Sequence, residues 1–412
     1  MEIKEICAAV SAVFGFLMSY FALYYFVGTL CRRKKYPEAT VMRRFAVIIA
    51  ARNEERVLGA LLESLRLQDY PKELFDVFCV ADNCSDGTAR IAWEGGAAVY
   101  ERFEPARARK GYALEFLFRK IDDCFGISSY DAYVFFDADN TAERDFLTQM
   151  NRALDGGADI VTGYRMASNF GDNYVSAAYG IHFLRSSAFS HRPRSLLGLS
   201  THVAGTGFGV KSELLAEGWQ WFSLTEDTEL TAWAVSRGKR IEYCEDARFY
   251  DEQPTSFRIS VRQRIRWQKG RLFCFFRYAP ALVAGIFTKR GKRALSCYDM
   301  FFYLFPKSLF NFLLAVAAFF SALPSFDSRG FISSCVAACL SFAAIGALAV
   351  IRERKSLPRC GAMLAVYILL FPWFDMIALP LSVISLFMRV KWKPIPHTGG
   401  MEKKSVFTCK TR

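Results

Sequence analysis

Two carboxylates one residue apart, in Asp137-Ala138-Asp139, follow directly on an apolar run. Such a pair can bind a hard divalent cation, which in turn grips a diphosphate. The same triplet occurs in ordinary solvated loops, so alone it is weak evidence. Asp82, in Ala81-Asp82-Asn83-Cys84-Ser85-Asp86-Gly87-Thr88, ends another apolar run. A carboxylate there can accept hydrogen bonds from a base or ribose. Ser85 or Asp86 can instead cap the next helix, and for Asp86 capping is the better reading. Thr225-Glu226-Asp227 precedes the helical pattern Thr228–Arg237. It reads equally as first-turn capping chemistry and as a general base, Asp227, that takes a proton from an acceptor hydroxyl. In Gln263-Arg264-Ile265-Arg266-Trp267, positions 263, 266 and 267 share one helix face. An Arg beside a Gln can hold pyrophosphate oxygens, and a Trp can stack on a sugar ring. Arg262 and Arg264 also fit a basic helix resting on lipid.

These residues need a frame. The runs FAVIIAA (45–51), DVFCVA (76–81) and DAYVFF (131–136) are apolar enough for buried, mostly parallel strands. Helical patterns lie between them, at Glu54–Arg66 and Gly111–Ile121. The β-α-β rhythm predicts an α/β, doubly wound domain with its ligand site at the carboxyl ends of the strands. Each run ends in a polar cluster, Arg52-Asn53-Glu54, Asp82-Asn83 and Asp137-Ala138-Asp139, which points to one crevice.

The rest of the 412 residues read as membrane. The chain is 52% hydrophobic with 39 Phe, and 53 basic against 40 acidic groups leave a net charge of +13. The uncharged run Ile6–Leu30 is long enough to span a bilayer and is followed by Arg32, Arg33, Lys34 and Lys35. Residues 1–31 are therefore expected to form a transmembrane helix with its N-terminus outside, and the domain at 45–256 to be cytoplasmic. A signal peptide fits poorly, because the run is too long and no small-residue cleavage site precedes the basic cluster. Eleven Lys or Arg and no acidic residue lie between Glu252 and Asp299, a pattern that predicts interfacial amphipathic helices over 257–297. Further spans are expected over 298–390, joined by an external turn at Pro324–Gly330 and a basic loop at Arg352–Arg359. The last apolar stretch, 361–388, carries Pro372, Asp375 and Pro380. A broken or re-entrant hairpin there would keep the basic tail 391–412 inside. No nucleic-acid reader motif is present, so nucleic acid is not an expected partner. Twelve scattered cysteines and four histidines argue against a zinc site or a His-based triad.

Taken in order, Asp82, Asp137-Ala138-Asp139, Thr225-Glu226-Asp227 and Gln263-Arg264-Ile265-Arg266-Trp267 resemble the D, D-x-D, T-E-D and Q-x-x-R-W pattern of the processive branch of glycosyltransferase family 2. That branch includes the cellulose, hyaluronan and chitin synthases and the bacterial poly-N-acetylglucosamine and chitooligosaccharide synthases. The resemblance covers about residues 45–270 and implies a GT-A-like nucleotide-sugar-binding domain. It implies that Asp82 contacts uridine, that Asp137 and Asp139 hold the nucleotide and Mg²⁺ or Mn²⁺, and that Asp227 is the catalytic base. Gln263 and Arg266 would close over the diphosphate, with Glu226 and Trp267 at the acceptor. Asn53 and Glu54 look like the family's first-strand nucleotide loop, Lys110-Gly111 like its Lys-Gly element, and Gly205-Thr206-Gly207 like its acceptor-lining loop. The chain departs from the pattern at Arg52, where many relatives have Tyr or Phe, and at Asp82-Asn83-Cys84-Ser85-Asp86 in place of Asp-Asp-Gly-Ser.

The activity implied is inverting, metal-dependent transfer from a UDP-sugar, UDP-N-acetylglucosamine or UDP-glucose, to a growing β-linked glycan. The alternative is transfer of one sugar to a lipid, as in the related ceramide glucosyltransferases. A non-catalytic scaffold or transporter subunit would be expected to lack a carboxylate motif, and none is lost. An export partner or a homo-oligomer stays open at this point.

Overall fold

The three apolar runs are adjacent strands. In the computed structural model, which describes residues 3–322, 328–357 and 360–390, they are β1 (Phe45–Ala51), β2 (Phe75–Asp82) and β4 (Ala132–Asp137). With β3 (Ala98–Arg102), β5 (Asn140–Ala142), β6 (Ile160–Ala167), β7 (Phe208–Lys211) and β8 (Ile241–Asp251) they form one sheet in the order β3-β2-β1-β4-β7-β6-β8-β5. β1 lies parallel to β2 and β4, with Ala51 opposite Ala81 and Ala50 opposite Asp137. That register brings the three polar clusters to one edge. Beyond β4 the sheet is mixed, since β7 runs antiparallel to both β4 and β6.

β1 is apolar throughout because both its faces are covered. Ala46 and Ile48 face a core shared with the helix Lys110–Phe125, while Phe45, Val47 and Ile49 face the helices Leu58–Arg66 and Phe146–Asp155. The first of those helices starts four residues later than its sequence pattern predicts. Asn53 takes a left-handed backbone (φ 57°), and its Oδ1 accepts from the Ser85 N–H at 2.8 Å. Residues 52–57 are thereby held as a loop at the crevice.

A third core joins the catalytic domain to the apolar helices. Tyr164 and Met166 of β6 and the helix Tyr174–Ser186 pack with Ala349, Tyr367, Phe371 and Phe374. Among the described residues, four helical stretches are long and apolar enough to cross a membrane: Glu5–Leu30, Phe257–Thr288, Ser328–Arg352 and Met363–Phe387. A fifth is reached if the pair Lys292–Leu304 and Lys307–Ala317, bent by 55°, is one span. Residues 257–297, expected to form interfacial amphipathic helices, are mostly helical. They hold one 32-residue helix, Phe257–Thr288, which runs through Pro280, and the start of the next helix. The stretch 361–388 is not folded back as a hairpin. Its three short helices follow one another as a single 25-residue run, interrupted around Pro372–Met376. The tail 391–412 and parts of the expected turn and basic loop (324–327 and 358–359) lie outside the described residues.

Buried ion pairs fasten these helices to the domain. Arg194 binds Asp299 of the helix Lys292–Leu304 (Nε–Oδ2 2.6 Å), and the Tyr20 hydroxyl donates to the same carboxylate at 3.0 Å. Arg192 bridges Glu245 of β8 (Nε–Oε2 2.8 Å) to Glu353. Removing one partner of such a pair strands a buried charge and costs about 3–5 kcal/mol.

Candidate active site

Asp137 ends β4, and its backbone N–H donates to Thr206 Oγ1 at 2.8 Å and to Asn140 Oδ1 at 3.1 Å. Thr206 is fully buried and its hydroxyl donates in turn to Asn140 Oδ1. Gly207 must be glycine: its φ is +61°, and a Cβ would lie 2.1 Å from the Phe249 ring. The segment Gly205-Thr206-Gly207 is thus mainly the underside of the aspartate turn. Only Gly205 lines the cavity; Thr206 and Gly207, expected at the acceptor, lie outside the lining, Thr206 bound to the turn and Gly207 to the Phe135 carbonyl and the Gly163 N–H.

The carboxylates of the other motifs converge on the same place. Asp82 is held by Arg102 Nη1 at 2.5 Å and by Asn83 Nδ2 at 2.8 Å. Lys110 Nζ reaches Asp137 Oδ1 at 2.5 Å, the Gly205 carbonyl at 3.2 Å and Glu226 Oε1 at 3.7 Å. Burial works to lower the Lys110 pKa, but Asp137, Glu226 and Asp227 outweigh it and raise the pKa. Glu226 and Asp227 open the helix Glu226–Ser236. Thr225 makes no capping bond with its side chain. It is instead packed under the helix Phe257–Thr288 at Gly270, where a Cβ would lie 2.3 Å from Thr225 Oγ1. That close approach sets Arg266 against the loop, its Nη1 donating to the Leu224 carbonyl at 2.9 Å. Gln263 Oε1 accepts from the Tyr179 hydroxyl at 2.6 Å, and Trp267 meets the Tyr179 ring edge-on at 5.9 Å.

One cavity of about 340 Å³ is lined by Arg52, Glu54, Asp82, Lys110, Asp137, Asp139, Gly205, Glu226, Asp227, Gln263, Arg266 and Trp267. Asn53 backs the Asp82 loop from outside the lining. Asp86 caps the turn, accepting from the Thr88 N–H at 3.1 Å and the Glu55 N–H at 3.2 Å. Arg262 lines the cavity and is exposed, whereas Arg264 is buried over the Phe374 ring, 3.8 Å from its centroid. Burial raises the pKa of Asp227 and, reinforced by the Asp227 charge and opposed by Lys110, pushes Glu226 up to about 7. A buried carboxylate with a raised pKa is a better proton acceptor than a solvated one.

Several lining residues escaped the sequence reading. Asp251 ends β8 and is paired with Arg165 (Nε–Oδ2 2.9 Å). It follows the same strand-end rule as Asp82 and Asp137, so the rule could have found it. Arg102, which holds Asp82 from outside the lining, stands opposite it in the β2–β3 register, a relation legible only once the strands are paired. His182, His202 and Tyr303 also line the cavity and carry no motif.

Asp137 and Asp139 suit a divalent cation shared with a substrate. Two carboxylates at one turn, with no cluster of three His, Cys, Asp or Glu among the described residues, leave coordination places for phosphate oxygens.

The sequence profile described as glycosyltransferase-like family 2 matches residues 43–270, more than half of the chain and all four motifs. The chain belongs to glycosyltransferase family 2. Among curated relatives, this glycosyltransferase is 26% identical over 281 residues to the probable glycosyltransferase YdaM of Bacillus subtilis, covering 65% of this chain and 63% of that protein. It is 26% identical over 244 residues to the β-monoglucosyldiacylglycerol synthase of Synechocystis sp., covering 57% and 48%. The match thus spans about half to just under two thirds of these relatives' lengths. The fold resembles that of the mannosyltransferase PcManGT from Pyrobaculum calidifontis, solved with GDP-Man and Mn²⁺ (TM-score 0.60, 19% identity, 86% of this chain and 98% of that one).

Proposed function

We propose that this family 2 enzyme transfers a sugar from UDP-glucose or UDP-N-acetylglucosamine, with inversion, to a hydroxyl of a membrane lipid. The observation that carries this reading is the composition of the single cavity. Strand-end carboxylates and Lys110 line one part of it, Asp227 another, and Phe183 of the helix Tyr174–Ser186, with Ile259, Tyr303 and Val390 from apolar helices and their flanks, completes the wall. The β-monoglucosyldiacylglycerol synthases among the relatives support a lipid acceptor. A growing β-linked glycan is the second reading, favoured by Trp267 in the cavity wall, where a ring could stack on an acceptor sugar.

In this scheme Asp82 receives the uridine, and Asp137 and Asp139 hold the Mg²⁺ or Mn²⁺ that neutralises the diphosphate when bound. Arg266 and Lys110 face charge that develops on the leaving UDP. Asp227 takes the proton from the attacking hydroxyl as that oxygen approaches the anomeric carbon opposite the leaving group. One displacement converts an α-linked donor into a β-linked product. The basic cluster Arg32–Lys35 supports a cytoplasmic catalytic domain.

The purified membrane protein, incubated with radiolabelled UDP-sugars, Mn²⁺ and membrane lipid, tests this. The expected result is label in one organic-extractable product carrying a single sugar. Label in long water-soluble chains selects the glycan reading, and no transfer from any UDP-sugar overturns both.

A further inference from the structure

His182 and His202 line the catalytic cavity, although the motifs account for neither. His182 lies on the helix Tyr174–Ser186, one turn before Arg185. The Arg185 guanidinium grips both carboxylate oxygens of Asp375, with Nη2 3.0 Å from Oδ1, and Nη2 also stands 3.1 Å from His182 Nδ1. A guanidinium has donors only, so His182 Nδ1 accepts and the ring proton sits on Nε2. Burial, reinforced by Arg185 and Arg264, holds the imidazole well below its ordinary pKa, so it stays neutral.

Asp375 belongs to the short helix Pro372–Met376, where the apolar run Met363–Phe387 is interrupted. A carboxylate in such a run is costly and is retained where it serves the protein interior. The same short helix is fastened from its other side by Arg264, which donates to the Phe374 carbonyl. The interrupted helix therefore braces the cavity wall at His182.

His182 shares the cavity with Asp227, Arg165 and Phe183. Asp227 Oδ2 and Arg165 Nη1 lie 3.6 and 3.7 Å from the point where a Cβ on Gly205 would stand. Arg165 lies over the Phe183 ring, 4.3 Å from its centroid, and Phe183 adjoins His182. The geometry points to His182 Nε2–H as a hydrogen-bond donor to an acceptor oxygen next to the attacking hydroxyl, with Arg185 and Asp375 as positioning residues. The ligand chemistry is a polyol edge, such as glycerol or a sugar ring presents. The inference rests on the reading of Asp227 as the base.

The test is initial-rate kinetics with UDP-sugar and two acceptors, diacylglycerol in mixed micelles and a short β-linked oligosaccharide. His182→Phe is expected to raise the acceptor KM about tenfold, the worth of one hydrogen bond, with the donor KM unmoved. His182→Gln, whose amide N–H reaches the Nε2 position, recovers most of the loss. Asp375→Asn reproduces the effect of His182→Phe, and the double variant is no worse than either single one. The acceptor on which the shift occurs identifies the source of the polyol. An unmoved acceptor KM with both acceptors, equal loss in His182→Gln, or additive losses in the double variant overturns the inference. If Asp375→Asn does not fold, Asp375→Glu must keep the wild-type acceptor KM, and the His182→Phe and His182→Gln pair decides. Transfer by Asp227→Asn would overturn the base assignment beneath it. Inactive Asp227→Asn with an unmoved acceptor KM in His182→Phe overturns only the role of His182.

Discussion

The two halves of the cavity are built differently. The donor half consists of residues at the ends of neighbouring strands, Arg52 and Glu54 after β1, Asp82 on β2 and Asp137 on β4. Each is fixed by its own strand and by contacts within the sheet, such as Asp82 with Arg102 one strand away. The other half is assembled from helices far apart in sequence: His182, Trp267 and Tyr303 lie on three helices. Arg194 with Asp299, 105 residues apart, holds the Tyr303 helix to the domain, and Arg185 with Asp375, 190 residues apart, holds the His182 helix to an apolar one. The comparison teaches that donor chemistry is local here, whereas acceptor geometry depends on how the apolar helices seat on the domain.

Variants on each side should therefore fail in different ways. The largest effect is expected at the meeting point. Asp227→Asn should lower kcat by roughly 10²- to 10⁴-fold, the worth of a general base, while calorimetry shows UDP binding retained. Asp299→Ala attacks the helix-built half and leaves Arg194 buried without its carboxylate. A loss of about 3–5 kcal/mol should appear as a much lower thermal midpoint in detergent, and an unchanged midpoint would mean the pair is no fastening. Asp139→Ala attacks the donor half alone. It should weaken Mn²⁺-dependent UDP binding by more than the roughly 10- to 100-fold that loss of a partner behind a ligand costs, with little change in midpoint.

The smallest effect concerns pH. Burial raises Asp227 above its ordinary carboxylate value, and Glu226 stands at about 7. Activity should thus rise with pH in two steps, first as Asp227 ionises and then near pH 7, as Glu226 gains charge beside it. Glu226→Gln should remove the upper step from the kcat/KM profile. The stability sign is opposite. A carboxyl whose folded pKa is raised contributes stability that is present at low pH and lost as pH rises through the folded value. Glu226→Gln should accordingly flatten the fall in thermal midpoint between the ordinary carboxyl value and about pH 7.

The donor half was the part legible in the sequence. Periodicity located β1, β2 and β4, and the strand-end rule located Asp82, Asp137 and Asp139, because strand, turn and carboxylate are neighbours in the chain. The placement of Thr206 and Gly207 at the acceptor came from the family resemblance and not from local spacing. In the structure Thr206 lies under the aspartate turn, and nothing local shows that its hydroxyl accepts from the Asp137 N–H. Arg264 was read as optionally lipid-facing, since its partner, the Phe374 carbonyl, is 110 residues away. Asp375 was read only as a sign of a broken helix. Its pairing with Arg185 depends on tertiary packing of two helices that no periodicity relates. Motif residues on the long helix, Gln263, Arg266 and Trp267, were placed on one face correctly because helical spacing is itself local.

The central claim is a single displacement with Asp227 as base. Its most direct test is the anomeric configuration of the first transferred sugar, read by the proton coupling constant of the isolated product from an α-linked UDP-sugar. A large coupling, marking a β-linked product, is the result expected here. An α-linked product would contradict the base assignment and require a different set of reacting groups in this cavity.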